Sequence, residues 1–338
     1  MNTLVLLKPN EVDTLLNKRQ GESKFGEHVQ LLTSSANIYD DIKSLDVKYV
    51  LIGLPEDVGV FANHGKSGTS TTWDSTIKIL LNTQSNQFIN PKDILILGHL
   101  DFSKAVNITS KLKQNNSKHI NKVKKLVTEI DKDVSNLIFK IVNAGKIPII
   151  IGGGHNNAYG NIKGTSLALK KSINCINFDA HTDFRALEGR HSGNGFSYAF
   201  SEGFLDRYFI FGIHENYTSA SIFNTLKAEK RIEYNTYEAI AVRQQLKFKA
   251  EMKRALKHIS NKPFGIEIDC DAMQNIPSSA QTPSGFSVEK TRQFINYFGS
   301  SKQAKYIHIC EAAPKKKQVN QVGKLISFLI TDFIKSQS

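Results

Sequence analysis

The stretch Ile173-Asn174-Cys175-Ile176-Asn177-Phe178-Asp179-Ala180-His181-Thr182-Asp183-Phe184-Arg185 predicts a buried strand that runs into a polar loop. Asp179, His181 and Asp183 alternate along extended chain, so their side chains start on one side and can converge on one ion. A set that mixes carboxylate oxygen with imidazole nitrogen suits Mn²⁺, Zn²⁺ or Fe²⁺ better than Ca²⁺. Because Asp-x-His-x-Asp is a short motif, a polar strand end without a metal stays open as the alternative.

Two flanking strands end in further candidate ligands. Upstream, the apolar run at 146–151 stops at three glycines, which let the backbone turn sharply and deliver His155. Downstream, the run at 264–269 alternates, so Glu267 and Asp269 share one face of a strand. A parallel sheet would gather these side chains along one edge, where α/β proteins place their sites.

The order of these motifs resembles the ureohydrolase family of arginases, agmatinases and formimidoylglutamases. The matching motifs are Gly-Gly-Gly-His at 152–155, Asp-Ala-His-Thr-Asp at 179–183, an acidic-x-Asp strand at 267–269 and Cys-Glu-Ala-Ala-Pro at 310–314. The similarity runs from about residue 47 to the C-terminus in the family's order. It implies an α/β fold of three α/β/α layers with a central, mostly parallel sheet.

The resemblance also implies two manganese ions, which in this family activate water for attack on a guanidino or formimino carbon. Carried over residue by residue, the first ion would be bound by His155, Asp179, Asp183 and Glu267. The second would be bound by Asp179, His181, Glu267 and Asp269. Glu267 stands where the family has an aspartate, and its extra methylene moves the carboxylate by about 1.5 Å. We therefore expect Glu267 to weaken one of the two ions.

Two positions favour a formimidoylglutamase over an arginase. Phe196 stands where arginases carry a histidine and formimidoylglutamases tend to carry a phenylalanine. Arg185 stands where arginases have an asparagine and formimidoylglutamases an arginine, and its guanidinium can grip a carboxylate with two hydrogen bonds. The implied reaction is hydrolysis of N-formimino-L-glutamate to L-glutamate and formamide. The residues expected to bind the substrate carboxylates are Arg185, Ser192, Gly193 and Asn194.

Asp183 and Glu311 are the catalytic residues that the resemblance implies. Asp183 would orient the attacking water and help to pass its proton, and Glu311 would hydrogen-bond the cationic C–N head of the substrate. Three alternatives stay open: Arg185 as a structural ion-pair partner, a guanidino hydrolase of the arginase or agmatinase type, and a metal-poor relative that binds or regulates without catalysis. Glu267 motivates the last of these, together with Ala312 and Ala313, which follow Glu311 where the family usually has an asparagine before the proline.

Length and composition are those of an ordinary globular protein, with 338 residues, 40% hydrophobic and 22% charged. We expect one α/β domain at 47–338, with residues 1–46 as an N-terminal extension packed on it. The net charge of +13 comes from lysines scattered along predicted helices. Without interleaved aromatic residues, this pattern favours a solvated basic surface over a nucleic-acid groove, and it can attract an anionic substrate.

Cysteine usage and hydropathy bear on location. Cys175, Cys270 and Cys310 all fall in or beside predicted strands, which indicates buried thiols in a reducing compartment. The apolar runs are too short for a signal peptide or a membrane helix. We expect a cytoplasmic homo-oligomer that acts on a small molecule and has neither nucleic-acid nor membrane partners.

Overall fold

The computed structural model describes residues 4–34 and 37–337, and the nine strands in these ranges form a single sheet. In chain order they are β1 (Leu4–Leu6), β2 (Tyr49–Gly53), β3 (Ile94–Leu100), β4 (Ile147–Ile151), β5 (Ile173–Phe178), β6 (Leu205–Ile213), β7 (Ile232–Thr236), β8 (Phe264–Asp269) and β9 (Ala304–Cys310). Across the sheet the order is β1-β3-β2-β4-β9-β8-β5-β6-β7. Only the pair β1 and β3 is antiparallel in this described part.

Helices cover both faces of the sheet. They are α1 (Pro9–Leu15), α2 (Ile38–Ser44), α3 (Val58–Ala62), α4 (Thr72–Leu80), α5 (Ser103–Thr109), α6 (Ser117–Asn143), α7 (Asn157–Leu169), α8 (Gly195–Ser201), α9 (Ala220–Ala228), α10 (Phe248–Ile259), α11 (Val288–Gly299) and α12 (Val319–Ser336). Because strand side chains alternate between faces, Ile149 and Ile151 of β4 lie in one apolar core and Ile150 in the other. Helices α4, α10, α11 and α12 pack on the first core, and α3, α6, α7 and α8 on the second. The predicted three-layer α/β/α fold is confirmed.

Helix α6 follows the apolar stripe that the sequence shows between 121 and 144. The Asn116 side chain caps its first turn by accepting hydrogen bonds from the backbone N–H groups of Lys118 and His119. Gly145 follows its last turn with a φ of +79°, as the sequence predicts for a glycine after a helix end. The buried face of α6 packs against α7, whose N-terminus lies next to His155.

The N-terminal extension contributes a strand, which the sequence analysis did not anticipate. β1 has only three residues, too few to show an alternating pattern, and it pairs with β3 to form one edge of the sheet. Gly98 allows this approach, because a Cβ atom there would lie 2.0 Å from the carbonyl oxygen of Val5. Val12 and Phe25 of the extension are buried in the first core. The division of the chain at residue 46 stays a prediction.

The three cysteines are buried free thiols, as the sequence predicts. Among the described helices none combines the length and the apolar character that crossing a membrane requires.

Four neighbouring parallel strands in the middle of the sheet, β4, β9, β8 and β5, end at the same edge. Their carboxyl ends lead to His155, Glu311, Asp269 and Asp179 respectively. In open α/β sheets, ligands bind in the crevice outside the carboxyl ends of the parallel strands, so this edge is the expected place for a functional site.

Candidate metal centre

His155 is buried at the centre of a group of carboxylates. Its Nδ1 atom lies 2.8 Å from Oδ2 of Asp183, 3.1 Å from Oδ2 of Asp269 and 3.3 Å from Oδ2 of Asp179. The turn that places it requires glycine, since Gly153 has a φ of +72° and a Cβ atom there would lie 2.8 Å from the carbonyl oxygen of Leu54. These four side chains offer ligand atoms that all lie within 4.8 Å of one another.

The ring of His155 is fixed from two further directions. Phe196 meets it edge-on, with 5.1 Å between ring centroids, and Phe196 itself stacks on Tyr208 at 4.5 Å. The Nε2 atom of His155 lies 3.5 Å from Oε2 of Glu267. Phe196 is completely buried, so this formimidoylglutamase-like position acts here by packing against His155.

Asp179 connects His155 to the second histidine of the cluster. Its Oδ1 accepts a hydrogen bond of 2.7 Å from the backbone N–H of His181, and its Oδ2 accepts one of 2.9 Å from the Asn177 amide. The Nδ1 atom of His181 lies 3.5 Å from Oδ1 of Asp179 and 3.9 Å from Oδ2 of Asp271. The cluster therefore has two halves, one around His155 and one around His181, and Asp179 contacts both histidines.

The structure corrects the predicted place of Glu267. Two residues of strand span about 6.6 Å, so Glu267 lies well inside β8 while Asp269 is its last residue. The chain then enters a short turn, whose N–H at Asp271 donates to Oδ1 of Asp269. Asp271 faces His181, and Asp269 faces His155 in the position expected for Glu267. Asp269 and Asp271 therefore form the acidic pair that faces the two histidines, two residues beyond the pair expected from the sequence.

Glu267 instead belongs to a buried polar network behind His155. Its Oε2 lies 2.6 Å from Nδ1 of His308, the neighbouring residue on β9, and its Oε1 accepts a 2.9 Å hydrogen bond from the Tyr306 hydroxyl. The other His308 nitrogen lies 3.1 Å from the carbonyl oxygen of Gly152. Burial opposes ionisation of Glu267, but electrostatic attraction to His308 and hydrogen bonds with His155 and His308 outweigh it and hold the pKa of Glu267 below its usual range.

The electrostatics of the cluster fit divalent cations. Burial, together with the negative charges of neighbouring aspartates, raises the pKa values of Asp183, Asp269 and Asp271. Burial lowers the pKa of His155, but Cys310 and hydrogen bonds with Asp179, Asp183 and Asp269 raise it well above its usual value. For His181, interactions with the aspartates outweigh burial and raise the pKa to about 10. No lysine or arginine pairs with these aspartates in the part of the chain the structure describes. Four mutually repelling carboxylates and two imidazoles form an oxygen-rich set that suits manganese.

Glu311 presents a free acceptor atom to the cluster. Its backbone has a φ of +60°, its Oε1 accepts a 2.6 Å hydrogen bond from the N–H of His155, and within the described residues Oε2 is buried without a donor. Burial and the charge of Asp271 raise the pKa of Glu311 to about 8. An unsatisfied buried acceptor at this place can receive a hydrogen bond from a ligand.

A cavity of about 570 Å³ opens over the cluster. Its lining includes His181, Asp183, Asp269, Asp271 and Glu311 at the cluster and Asn63, Arg185, Ser192, Gly193 and Tyr217 around it.

Arg185 is held in this lining by two side chains. Its guanidinium donates to Oδ1 of Asn63 at 2.8 Å and to Oε1 of Glu188 at 3.0 Å, and about half of the side chain stays exposed. Asn63 in turn donates to the Ser192 hydroxyl at 3.1 Å. A Cβ atom on Gly193 would lie 3.2 Å from Cδ of Arg185, so this glycine leaves room for the arginine stem.

Asn194, expected to bind substrate, does not line the cavity, and its side chain has other partners. Its amide oxygen accepts hydrogen bonds from the Arg190 guanidinium and from the N–H of His191, and its amide nitrogen donates to two carbonyl oxygens. The side chain is completely buried and has no capacity left for a ligand. Arg190 also forms a buried ion pair with Asp131 of α6. Through its hydrogen bond with Arg190, Asn194 therefore helps to fix the loop before α8.

Comparisons with known proteins agree with this geometry. The model described as the arginase family matches residues 47–334. A formimidoylglutamase of Streptococcus pyogenes serotype M12 is 24% identical over 291 residues, covering 83% of this chain and 82% of the relative. The structure of Trypanosoma cruzi formiminoglutamase with Mn²⁺ matches with a TM-score of 0.72 at 17% identity, over 93% of this chain and 98% of that one. Formimidoylglutamase from Bacillus subtilis matches with a TM-score of 0.73 at 15% identity, over 94% and 93%.

Proposed function

This chain belongs to the arginase family, and we propose that it hydrolyses N-formimino-L-glutamate to L-glutamate and formamide. The observation that carries the proposal is Arg185 in the wall of a cavity whose lining also includes His181, Asp183, Asp269 and Asp271 of the cluster. A cationic side chain in the same cavity as a metal centre suits a substrate that carries a carboxylate in addition to its reacting group. The names of the similar proteins support the same reaction.

We propose two divalent cations, of which manganese is the candidate because a similar structure is described with Mn²⁺. One would be held by His155, Asp179, Asp183 and Asp269, and the other by Asp179, His181, Asp269 and Asp271. When bound, such ions supply an activated water and neutralise developing negative charge. If Asp271 rather than Glu267 is a ligand, Glu267 no longer gives a reason to expect a weakened second ion.

The protein side chains would bind and orient the reacting group. Oε2 of Glu311 would accept a hydrogen bond from the cationic C–N head, which places the formimino carbon over the cluster. Asp183 would orient the attacking water and carry its proton toward the leaving nitrogen. The C–N bond between the formimino carbon and the glutamate nitrogen then breaks, and the proton completes the amino group of glutamate.

Arg185 would bind a carboxylate of the glutamate part. Asn63 holds the guanidinium in place, and Ser192 and Gly193 complete this wall. In this proposal the substrate carboxylate shares Arg185 with Glu188, which occupies one side of the guanidinium. Arg185 can therefore form its ion pair with Glu188 and bind a substrate carboxylate at the same time. Assembly as a homo-oligomer and a cytoplasmic location stay predictions.

Turnover of a matched set of substrates tests the proposal. The manganese-loaded protein would be assayed for kcat/KM with N-formimino-L-glutamate, L-arginine and agmatine, and Asp179→Ala would serve as the inactive control. We expect hydrolysis of the formimino compound at a kcat/KM at least about 100-fold above that of either guanidino compound. Faster release of urea from arginine or agmatine would instead assign a guanidino hydrolase.

A further inference from the structure

The two histidines of the centre are oriented in different ways. The ring of His155 is enclosed by Phe196 and has a carboxylate near its second nitrogen. The side chain of His181 is about one-third exposed (31%), and no group of the described chain accepts a hydrogen bond from its Nε2 atom. Metal-binding histidines usually donate that second N–H to a carboxylate or carbonyl, which fixes the ring. Another contact must therefore fix the orientation of the His181 ring.

A stack of aromatic rings begins on His181. The Tyr217 ring lies parallel to the His181 ring within 19°, with 5.4 Å between centroids. His214 lies parallel to Tyr217 within 9° at 5.1 Å, and Tyr237 parallel to His214 within 4° at 4.7 Å. Offset parallel rings at these separations attract one another and resist tilting. The stack thus connects partly exposed His181, through Tyr217, to buried His214 and half-buried Tyr237.

Both tyrosines of the stack are anchored to the loop that follows β8. The Tyr217 hydroxyl lies 3.3 Å from the hydroxyl of Thr282, and the Tyr237 hydroxyl donates to the carbonyl oxygen of Gly285 at 3.1 Å. The backbone N–H of His214 donates to the carbonyl oxygen of Ala180, the residue before His181. These bonds hold the stack between the loop after β5 and the loop after β8, which carry the ligands of the same half of the centre.

We propose that Tyr217 is a positioning residue, which holds the imidazole of His181 in its ligand orientation through ring stacking. The role rests on the proposed function in one respect, because it assumes that His181 binds the second ion. A cation on His181 makes the imidazole more electron-poor, and the face of Tyr217 then attracts it more strongly. Removing the ring should loosen one ion and leave the ion on His155 in place, since the surroundings of His155 do not include Tyr217.

Manganese binding to the full chain tests this role without an assay of activity. Calorimetric titration would resolve both ions in the parent protein, in Tyr217→Leu and in Tyr217→Phe, the matched variant that keeps the ring. We expect Tyr217→Leu to weaken one ion by about 10-fold and to change the other by less than about 2-fold. Tyr217→Phe should bind both ions as the parent does. Tyr217 is half exposed, so both variants are expected to fold.

Three results would overturn the role of Tyr217 while the centre itself stands: unchanged affinities in Tyr217→Leu, equal weakening of both ions, or equal loss in Tyr217→Phe and Tyr217→Leu. The last of these would assign the effect to the hydroxyl and its contact with Thr282. Binding of fewer than two ions by the parent protein would overturn the proposed centre, and the role of Tyr217 with it.

Discussion

The Oδ2 atom of Asp271 lies 3.9 Å from the Nδ1 atom of His181. This pairing completes the second half of the cluster with a residue from the turn after β8, and it leaves Glu267 to pair with His308 inside the sheet. The cluster therefore has four aspartates and two histidines, a combination of oxygen and nitrogen ligands that suits divalent ions such as manganese.

Substitution of Asp271 distinguishes this ligand set from the one that contains Glu267. Asp271→Ala should lower the affinity for one manganese ion by more than about 100-fold, because it removes a direct ligand. Glu267→Gln should still bind two ions at saturating manganese, although loss of the charge that faces His308 should lower the thermal stability. Metal content of gel-filtered samples checks both. Two ions in Asp271→Ala, with fewer in Glu267→Gln, would restore Glu267 as the ligand.

Without metal, the protein should lose stability as the pH rises from about 6 to about 8. The folded-state pKa of Glu311 is raised from 4.5 to about 8, and that of His181 from 6.5 to about 10. Each group binds its proton more tightly in the folded protein, so its contribution is complete below the unfolded pKa and is lost toward the folded one. Manganese competes with the proton at His181, so its stabilising effect should be larger at the higher pH. Thermal melts with EDTA and with manganese measure both trends. A metal-free protein that melts higher at pH 8 than at pH 6 would contradict this account.

Replacing Arg185 should affect substrate binding and spare the metal. Arg185→Met removes the charge-assisted hydrogen bond proposed to the substrate carboxylate, and we expect KM for N-formimino-L-glutamate to rise roughly 10- to 100-fold. Arg243→Met is the matched control, because Arg243 is also an exposed arginine paired with a glutamate but does not line the cavity. Steady-state kinetics and metal content check the result. Equal KM values for the two variants would make Arg185 a structural ion-pair partner alone.

The buried pair of Arg190 and Asp131 should matter for stability. Both side chains are only 4% exposed, and Asp131→Asn leaves the guanidinium without its counter-charge. We expect a loss of about 3–5 kcal/mol in the free energy of unfolding. Glu129→Gln, on the same helix and in an exposed pair with Lys132, should change it by less than about 0.5 kcal/mol. Urea unfolding compares them, and similar losses in both variants would be inconsistent with a special role for the buried pair.

Most of the sheet could be predicted from the sequence because its central strands are short apolar runs. β8 was expected at 264–269 and is found there, and α6 and β4 were placed within a few residues. β1 escaped prediction because three residues cannot show a period. Likewise, α9 to α11 were not resolved, because their apolar residues are spread among many polar ones.

The site was predicted where ligands follow a strand end in one short run, as at Asp179 to Asp183. At β8 two acidic pairs overlap, Glu267 with Asp269 and Asp269 with Asp271, and the alternation of the strand favoured the first. Only the point at which the strand ends decides between them. The sequence did contain a usable signal, since an Asp-x-Asp pair at a strand exit places both carboxylates at the sheet edge. Tyr217 carried no such signal, because its partners lie on three separate segments.

Conversion of N-formimino-L-glutamate, labelled with carbon-13 at the formimino carbon, tests the central claim most directly. The manganese-loaded protein would be followed by NMR, with metal content measured on the same sample. We predict labelled formamide and L-glutamate in equal amounts, with two manganese ions bound per chain. An unchanged substrate in the presence of two bound ions would contradict the proposed reaction.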